Sequence, residues 1–209
     1  MTGRASANRQ PSKRAPGRPR SEKARKAILL SAFRLLRERG FEGVSMQEIA
    51  AAAGVSTATL YRWWDNKHAI LLDAYLERTR DLLPSQGELT PIERLREYTK
   101  RIAVFLRRQN GRVFLRLLMA IQEDDALYSA FYERVYRPRH AEGCAVVQAA
   151  IDAGELPETV DPQLLIRLLI GPQVLSALLG LEVSTNSAER IFDSVVQAQQ
   201  KAGPPCRPG

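Results

Sequence analysis

Residues 45–64 read SMQEIAAAAGVSTATLYRWW. Ser45 and Glu48 have the S-x-x-E spacing of a capping box, which opens a helix by satisfying two orphan backbone donors reciprocally. The helix is predicted to run through Ala53 and to stop at Gly54, which accepts a turn geometry that a Cβ would resist. Ser56 is an N-cap for a second short helix, predicted from Thr57 to about Trp64. Two short helices joined by a glycine-containing turn of three or four residues have the pattern of a helix-turn-helix. Ala50 is small enough for a close crossing, Val55 plugs the angle between the helices, and Ile49 and Leu60 are expected in a small core with Phe33 and Leu36. Thr57, Ala58, Arg62 and Trp63 then face outward on a helix of the right girth for the major groove. Its N-terminus carries partial positive charge suited to phosphate, and Ser45 and Ser56 stand with these residues as candidate DNA contacts. An ordinary helical hairpin shares the bare spacing.

The charge upstream favours the DNA reading. The chain has 31 Lys and Arg against 23 Asp and Glu, a net charge of +8. All of that excess lies in residues 1–26, and the remainder balances. Such an arm usually neutralises a polyanion, DNA being the commonest. A solvated tail and a targeting segment are the alternatives, but the arm has neither an apolar h-region nor the apolar positions of an amphipathic presequence. Within it, Arg18 and Arg20 of PGRPR can either enter a narrow minor groove or neutralise phosphates from a flexible tail.

Working outward, the periodicity is helical nearly everywhere. A helix from Ser21 carries Ile28, Leu29, Ala32, Phe33, Leu35 and Leu36 on one face and ends at Gly40. A Lys67-led helix is predicted to about Leu83. Thr90-Pro91-Ile92-Glu93 opens a fifth helix, which Asn110-Gly111 ends, and Val113 to Ile121 is a sixth. A seventh spans about Asp125 to Ala153, with Pro138 expected to kink or interrupt it. Asp161-Pro162 starts an eighth, running to Leu181, and Asn186 to Glu189 caps a ninth. The expected fold is all-α with about nine helices. Its parts are a disordered basic arm (1–20), a helix-turn-helix domain (21–66), a ligand-binding and dimerisation domain (67–203) and a disordered tail (204–209).

Between Pro162 and Leu181 the only charge is Arg167. The length fits a membrane span, but Gly171-Pro172, Gln163, Gln173 and Ser176 argue against one. A helix that is apolar nearly all round is usually buried in a core or an oligomer interface. Leu168, Val174, Leu175 and Leu178 are therefore candidates for a dimer interface, joined by Ile191 and Val195 of the ninth helix. Pro172 either kinks the eighth helix or breaks it.

Composition excludes several classes. At 44% hydrophobic and 26% charged over 209 residues, wholesale disorder and a disulfide-rich scaffold are ruled out. Cys144 and Cys206 give no CxxC signature and fit a reducing compartment; His68 and His140 fit no metal-ligand spacing. There is no G-x-S-x-G, P-loop or H-E-x-x-H, and Asp124-Asp125 reads as a helix start, so neither catalysis nor a cofactor is expected.

The stretch 17–75 resembles the TetR-type transcriptional regulators. The matching pieces are GRPR (17–20), a helix ending in Arg39-Gly40-Phe41, and VSMQEIAAAAGVSTATLYRWWDNKHAILLDAY (44–75). The run DPQLLIRLLIGP (161–172) is similar to the dimerisation helix of an actinobacterial-style subgroup. The resemblance implies a cytoplasmic, nucleoid-associated homodimer that binds a palindromic double-stranded DNA operator, usually represses, and is released by a small effector. By position it implies phosphate contacts from Tyr61 and Lys67, a backbone contact from Thr59, base-facing roles for Thr57, Ala58, Arg62 and Trp63, and a buried Trp64. Many members carry an aromatic-His pair where this chain has Arg62-Trp63. The rival reading is an architectural DNA binder that relies on the arm. Helices lining the ligand cavity in similar proteins correspond here to those bearing Phe105, Phe114, Leu118, Ile121, Tyr128, Phe131 and Tyr132. Such a stripe is also what a plain core looks like. Gln122 and Gln173 are polar groups in apolar surroundings, candidates to orient a mostly apolar or aromatic ligand.

Overall fold

The computed structural model describes residues 22–79, 82–84 and 87–201. The basic arm with Arg18 and Arg20, and the tail 204–209, lie outside the described residues. Among those described there is no strand, and no helix is long and apolar enough to cross a membrane.

Helix α1, Glu22–Arg39, buries the expected stripe, and Gly40 ends it at φ 77° with its N–H on the Leu36 carbonyl. Helix α2, Met46–Ala53, opens with the full capping box: Glu48 N–H donates to Ser45 Oγ at 3.3 Å and Ser45 N–H to Glu48 Oε2 at 2.9 Å. Gly54 takes φ 65°, and Val55 N–H closes onto the Ala50 carbonyl at 3.0 Å, a Schellman turn. Helix α3, Thr57–Tyr61, is capped by Ser56 but is shorter than predicted. Its last turn tightens, with Trp63 and Trp64 N–H both returning to the Leu60 carbonyl, which swings Trp64 into the core.

Helix α4, Lys67–Arg78, is capped by Asn66, which accepts from Ala69 N–H at 2.9 Å. It ends short of the predicted Leu83. Thr79 is buried there, its hydroxyl donating to the Tyr75 carbonyl while Arg139 donates to its own carbonyl at 2.6 Å. A guanidinium from 60 positions away thus replaces the next helical turn. Helix α5, Pro91–Arg107, starts with the predicted Thr90/Glu93 box and Pro at its first position. Helix α6, Gln109–Ala120, begins earlier than predicted, because the break falls at extended Arg108 and not at Asn110-Gly111. Gly111 instead permits a close crossing: a Cβ there would lie 2.4 Å from the Phe105 carbonyl oxygen and 2.6 Å from Leu106 Cα. Backbone cannot swing aside as a side chain can, so Gly111→Ala is expected to cost about 3 kcal/mol by overpacking. At roughly 2–4 °C per kcal/mol for a chain of this size, calorimetry should show Tm falling by about 6–12 °C. An unchanged Tm would mean that the two helices separate freely.

Helix α7, Asp125–Phe131, runs without a gap through a π-helical turn, Tyr132–Tyr136, into α8, Arg137–Asp152. Pro138 interrupts the α geometry but leaves the rod intact. The widened turn just before it makes room for a ring that would press on a regular preceding turn. Helix α9, Pro162–Leu178, is capped by Asp161 and stops before the predicted Leu181, with Gly180 at φ 69°. It passes through Pro172 unbroken, so the chain-break alternative is set aside. Helix α10, Thr185–Lys201, is capped by Ser184 and not within Asn186–Glu189. Ser184 and Ser187 exchange backbone-to-hydroxyl bonds of 3.1 and 2.9 Å, a serine version of the capping box. With α7 and α8 counted as one rod, the described residues form nine helices.

One buried cluster joins α1–α4 to α5–α7, and a second holds α8, α9 and α10 together around Phe192. Helix α4 begins at the proposed domain boundary, 66/67, and places Ile70, Leu71, Leu72 and Tyr75 in the core shared with the head.

Candidate DNA interface and effector cavity

The caps of α2 and α3 fix the crossing of the helix-turn-helix and thereby what it shows to solvent. Leu60 and Trp64 are buried; Ser56, Ala58, Tyr61 and Arg62 are exposed; Ser45, Thr57, Thr59, Trp63 and Lys67 are half-buried. Tyr61, at 55% exposure, is a large ring left in water while Leu60 and Trp64 on either side of it along the chain are buried. Trp63 packs partly on the core with its ring 5.9 Å from that of Trp64. Ser56 Oγ and Thr59 Oγ1 are 3.0 Å apart, and Ser45 Oγ donates to Glu48 Oε2 at 2.9 Å. The Ser45 hydrogen bonds hold the Glu48 carboxyl below its ordinary range. Lys67 Nζ lies 3.4 Å from Glu42 Oε2 in a solvent-facing pair, an interaction worth about 0–1 kcal/mol that is readily exchanged for a phosphate.

Below the head, α5, α6, the α7–α8 rod and α9 line an apolar cavity of about 560 Å³, to which α4 contributes Tyr75. Phe105, Phe114, Leu118 and Phe131 stand on its wall. Ile121 instead fills core; Gln122 is exposed and donates to the Leu118 carbonyl at 3.4 Å. Gln173 is buried outside the wall, its amide donating to the Leu169 carbonyl at 2.9 Å while its Oε1 finds no partner. Tyr128 and Tyr132 point outward, 48% and 40% exposed, and start a stack that continues through Tyr136 to His140. The inward stripe of the α7–α8 rod is Phe131, Val135 and Arg139, which leaves Tyr128 and Tyr132 one stripe away. Wall residues that periodicity did not single out include Tyr98, Arg139, His140 and Arg167. Burial pushes the Tyr75 hydroxyl up to about 12 and raises that of Tyr98, so both remain proton donors at neutral pH.

Two contacts tie the head to the helical rod that carries one wall of the cavity. Asp73 of α4 accepts from Trp64 Nε1 at 2.7 Å and from Arg134 of the π turn, with Arg25 of α1 at 3.9 Å. Arg134 precedes Val135 and Tyr136, both on the cavity wall. His68, next to Lys67, lies 3.3 Å from Asp124, whose carboxyl is held low first by the Leu127 backbone N–H it accepts. On the outer face of α9, Leu168, Leu175 and Leu178 are exposed together with Leu164. Val174, Leu175 and Leu178 also reach the cavity, whereas Ile191 and Val195 of α10 are half-buried against the second cluster.

Comparison with known proteins agrees with this geometry. Residues 28–74 match the family model described as bacterial regulatory proteins, tetR family, and residues 86–195 match that described as tetracyclin repressor-like, C-terminal domain. The chain is 37% identical over 156 residues to the HTH-type transcriptional regulator YdeS of Bacillus subtilis, covering 75% of this chain and 79% of that one. It is 26% identical over 164 residues to the HTH-type transcriptional regulator EthR of Mycolicibacterium smegmatis, covering 75% and 74%. Among solved structures, the TetR family regulator SCO0332 superposes with a TM-score of 0.71 at 25% identity, covering 84% of this chain and 98% of that one. The flavonoid-responsive regulator FrrA does so with a TM-score of 0.67 at 25% identity, covering 88% and 99%. The chain belongs to the TetR family of helix-turn-helix transcriptional regulators, which are DNA-binding proteins and not enzymes.

Proposed function

We propose that the chain binds a palindromic operator as a homodimer in the cytoplasm, represses the genes it controls, and is released by a small, largely apolar effector. The observation that carries this reading is that one helix serves both sites: α4 puts Tyr75 on the cavity wall and, two residues earlier, Asp73 on Trp64 at the end of the recognition segment. In this reading Arg62 pairs with guanine, Thr57, Ala58 and Trp63 border the bases, and Tyr61, Lys67, Thr59, Ser45 and Ser56 grip the backbone. Arg18 and Arg20 add charge from the arm. The flavonoid response of FrrA supports an aromatic effector here.

Selection of bound fragments from a random DNA pool at physiological salt tests the proposal. The expected product is a palindrome with half-sites roughly one helical turn apart. AT-rich enrichment without symmetry would replace it by architectural binding through the arm. On the selected site, Arg62→Ala should cost about 1–3 kcal/mol and relax preference at one base pair. Lys67→Ala should weaken every sequence alike and reduce the salt slope by about one. Identical behaviour of the two variants would remove the distinction between reader and phosphate clamp.

A further inference from the structure

The cavity wall is apolar except along one edge, where the start of α8 meets α9. Twenty residues line it, and among them there is no Asp or Glu; the ionisable groups at that edge are Arg139, His140 and Arg167. Neither guanidinium forms an ion pair with a carboxylate among the described residues. Arg139 donates twice through Nη2 to Thr79, and Arg167 donates from Nε to the Gln163 carbonyl at 3.1 Å. The outer fork of Arg167 is thus left for a planar oxyanion, which it matches bidentately. The remaining polar groups on the wall are the hydroxyls of Tyr75, Tyr98 and Tyr136. Asp161, whose charge reaches His140 but which does not line the cavity, caps α9, with Gln163 and Leu164 N–H on its Oδ1. An apolar chamber whose charged lining groups are all basic disfavours a cationic ligand, and Arg139 and His140, half-buried at its edge, and the exposed Arg167 offer an anion charge-assisted hydrogen bonds.

We infer that the effector is an amphipathic monoanion, with an apolar aromatic body in the cavity and one acidic group held by Arg167 and His140 with Arg139 beside them. This rests on the reading of the cavity as the effector site. The ring of Tyr136, stacked 5.2 Å from His140, supplies a flat surface for the body next to the acid-binding edge. His140 is faced by Arg167, Asp161, Tyr136 and the Cys144 thiol, and burial followed by Arg167 lowers its affinity for a proton. A bound anion opposes both effects, so His140 takes up a proton on binding and affinity rises as pH falls through the imidazole range.

The test uses two fluorescent probes with one aromatic frame: anilinonaphthalene sulfonate, a monoanion at all working pH values, and uncharged phenylnaphthylamine. The sulfonate is expected to bind the full chain at least about tenfold more tightly. Arg167→Gln, on an exposed side chain, should remove most of that advantage and leave the neutral probe unchanged. Val174→Trp, with Leu118→Trp as a second filling variant, should exclude both probes. Equal affinity for the two probes, or a sulfonate affinity unmoved by Arg167→Gln, would overturn the anionic class while the cavity stands. Probe binding that survives both filling variants, or no binding of either probe, would overturn the cavity reading itself.

Discussion

Leu175→Glu is expected to leave the chain monomeric and to weaken operator binding by roughly a thousandfold or more. Leu175 is 57% exposed on α9, on a row with Leu164, Leu168 and Leu178. The steps along that row alternate four and three residues, with Gly171 at the position between Leu168 and Leu175, where a Cβ would meet nothing. An exposed apolar row of this spacing suits packing against another helix better than contact with water. Burying one leucine at an interface contributes about 1.5–3 kcal/mol. Under twofold symmetry a single substitution removes two of them and brings two carboxylates into one apolar seam. The loss therefore reaches roughly 4–6 kcal/mol per dimer, and with it goes the gain from linking two DNA heads. Sedimentation together with operator titration measures both. Met119→Glu, 62% exposed on α6 and off the seam, is the control and should leave the dimer whole. A Leu175→Glu dimer with full operator affinity would place the interface elsewhere.

The helix starts were legible because they are local. Ser45 with Glu48, Thr90 with Glu93 and Asp161 before Pro162 each settle a cap within three residues, and the structure forms all three. The turn at Gly54 is equally short-range. Misreadings fall where a distant residue decides. Helix α4 stops because Arg139 satisfies Thr79, and nothing near Leu83 announces this. Gly111 looked like a helix stop, yet its role is to let α6 cross the end of α5. In the C-terminal domain, the resemblance put Tyr128 and Tyr132 among the cavity-lining candidates. Which stripe of the rod points in is set by its packing on α4, α5 and α9, and that packing selects Phe131, Val135 and Arg139. Arg139, His140 and Arg167 carry no local pattern at all. They meet only once α8 lies on α9, so the acid-binding edge cannot be seen along the chain.

The contact most exposed to test is the Arg134–Asp73 pair, where two substitutions should act differently. Asp73→Ala removes the acceptor of the buried Trp64 indole N–H, and an orphaned buried donor costs about 1–3 kcal/mol. It also frees Arg134 and Arg25. Trp64 directly follows Arg62 and Trp63, so the recognition segment loses its anchor, and operator affinity should drop by about ten- to a hundredfold. Arg134→Gln keeps the Trp64–Asp73 bond and cuts only the link from the π turn. Operator binding without ligand should then stay within about threefold of the parent. What should vanish is communication. A typical coupling of about 1–3 kcal/mol between ligand and DNA sites is a five- to 150-fold effect and is reciprocal. In the parent, operator affinity measured with and without saturating anilinonaphthalene sulfonate should differ by that order, and the probe should bind less tightly to the operator complex. In Arg134→Gln both ratios should fall towards one. The reason lies in the geometry: Val135 and Tyr136 touch the cavity while Arg134, one residue earlier in the same widened turn, touches the head. A ligand that displaces the first two must carry the third, and Asp73 is the residue that feels it. If Arg134→Gln keeps the full parental ratio, the coupling runs instead through the other tie, His68 and Asp124, and Asp124→Asn becomes the substitution that abolishes it.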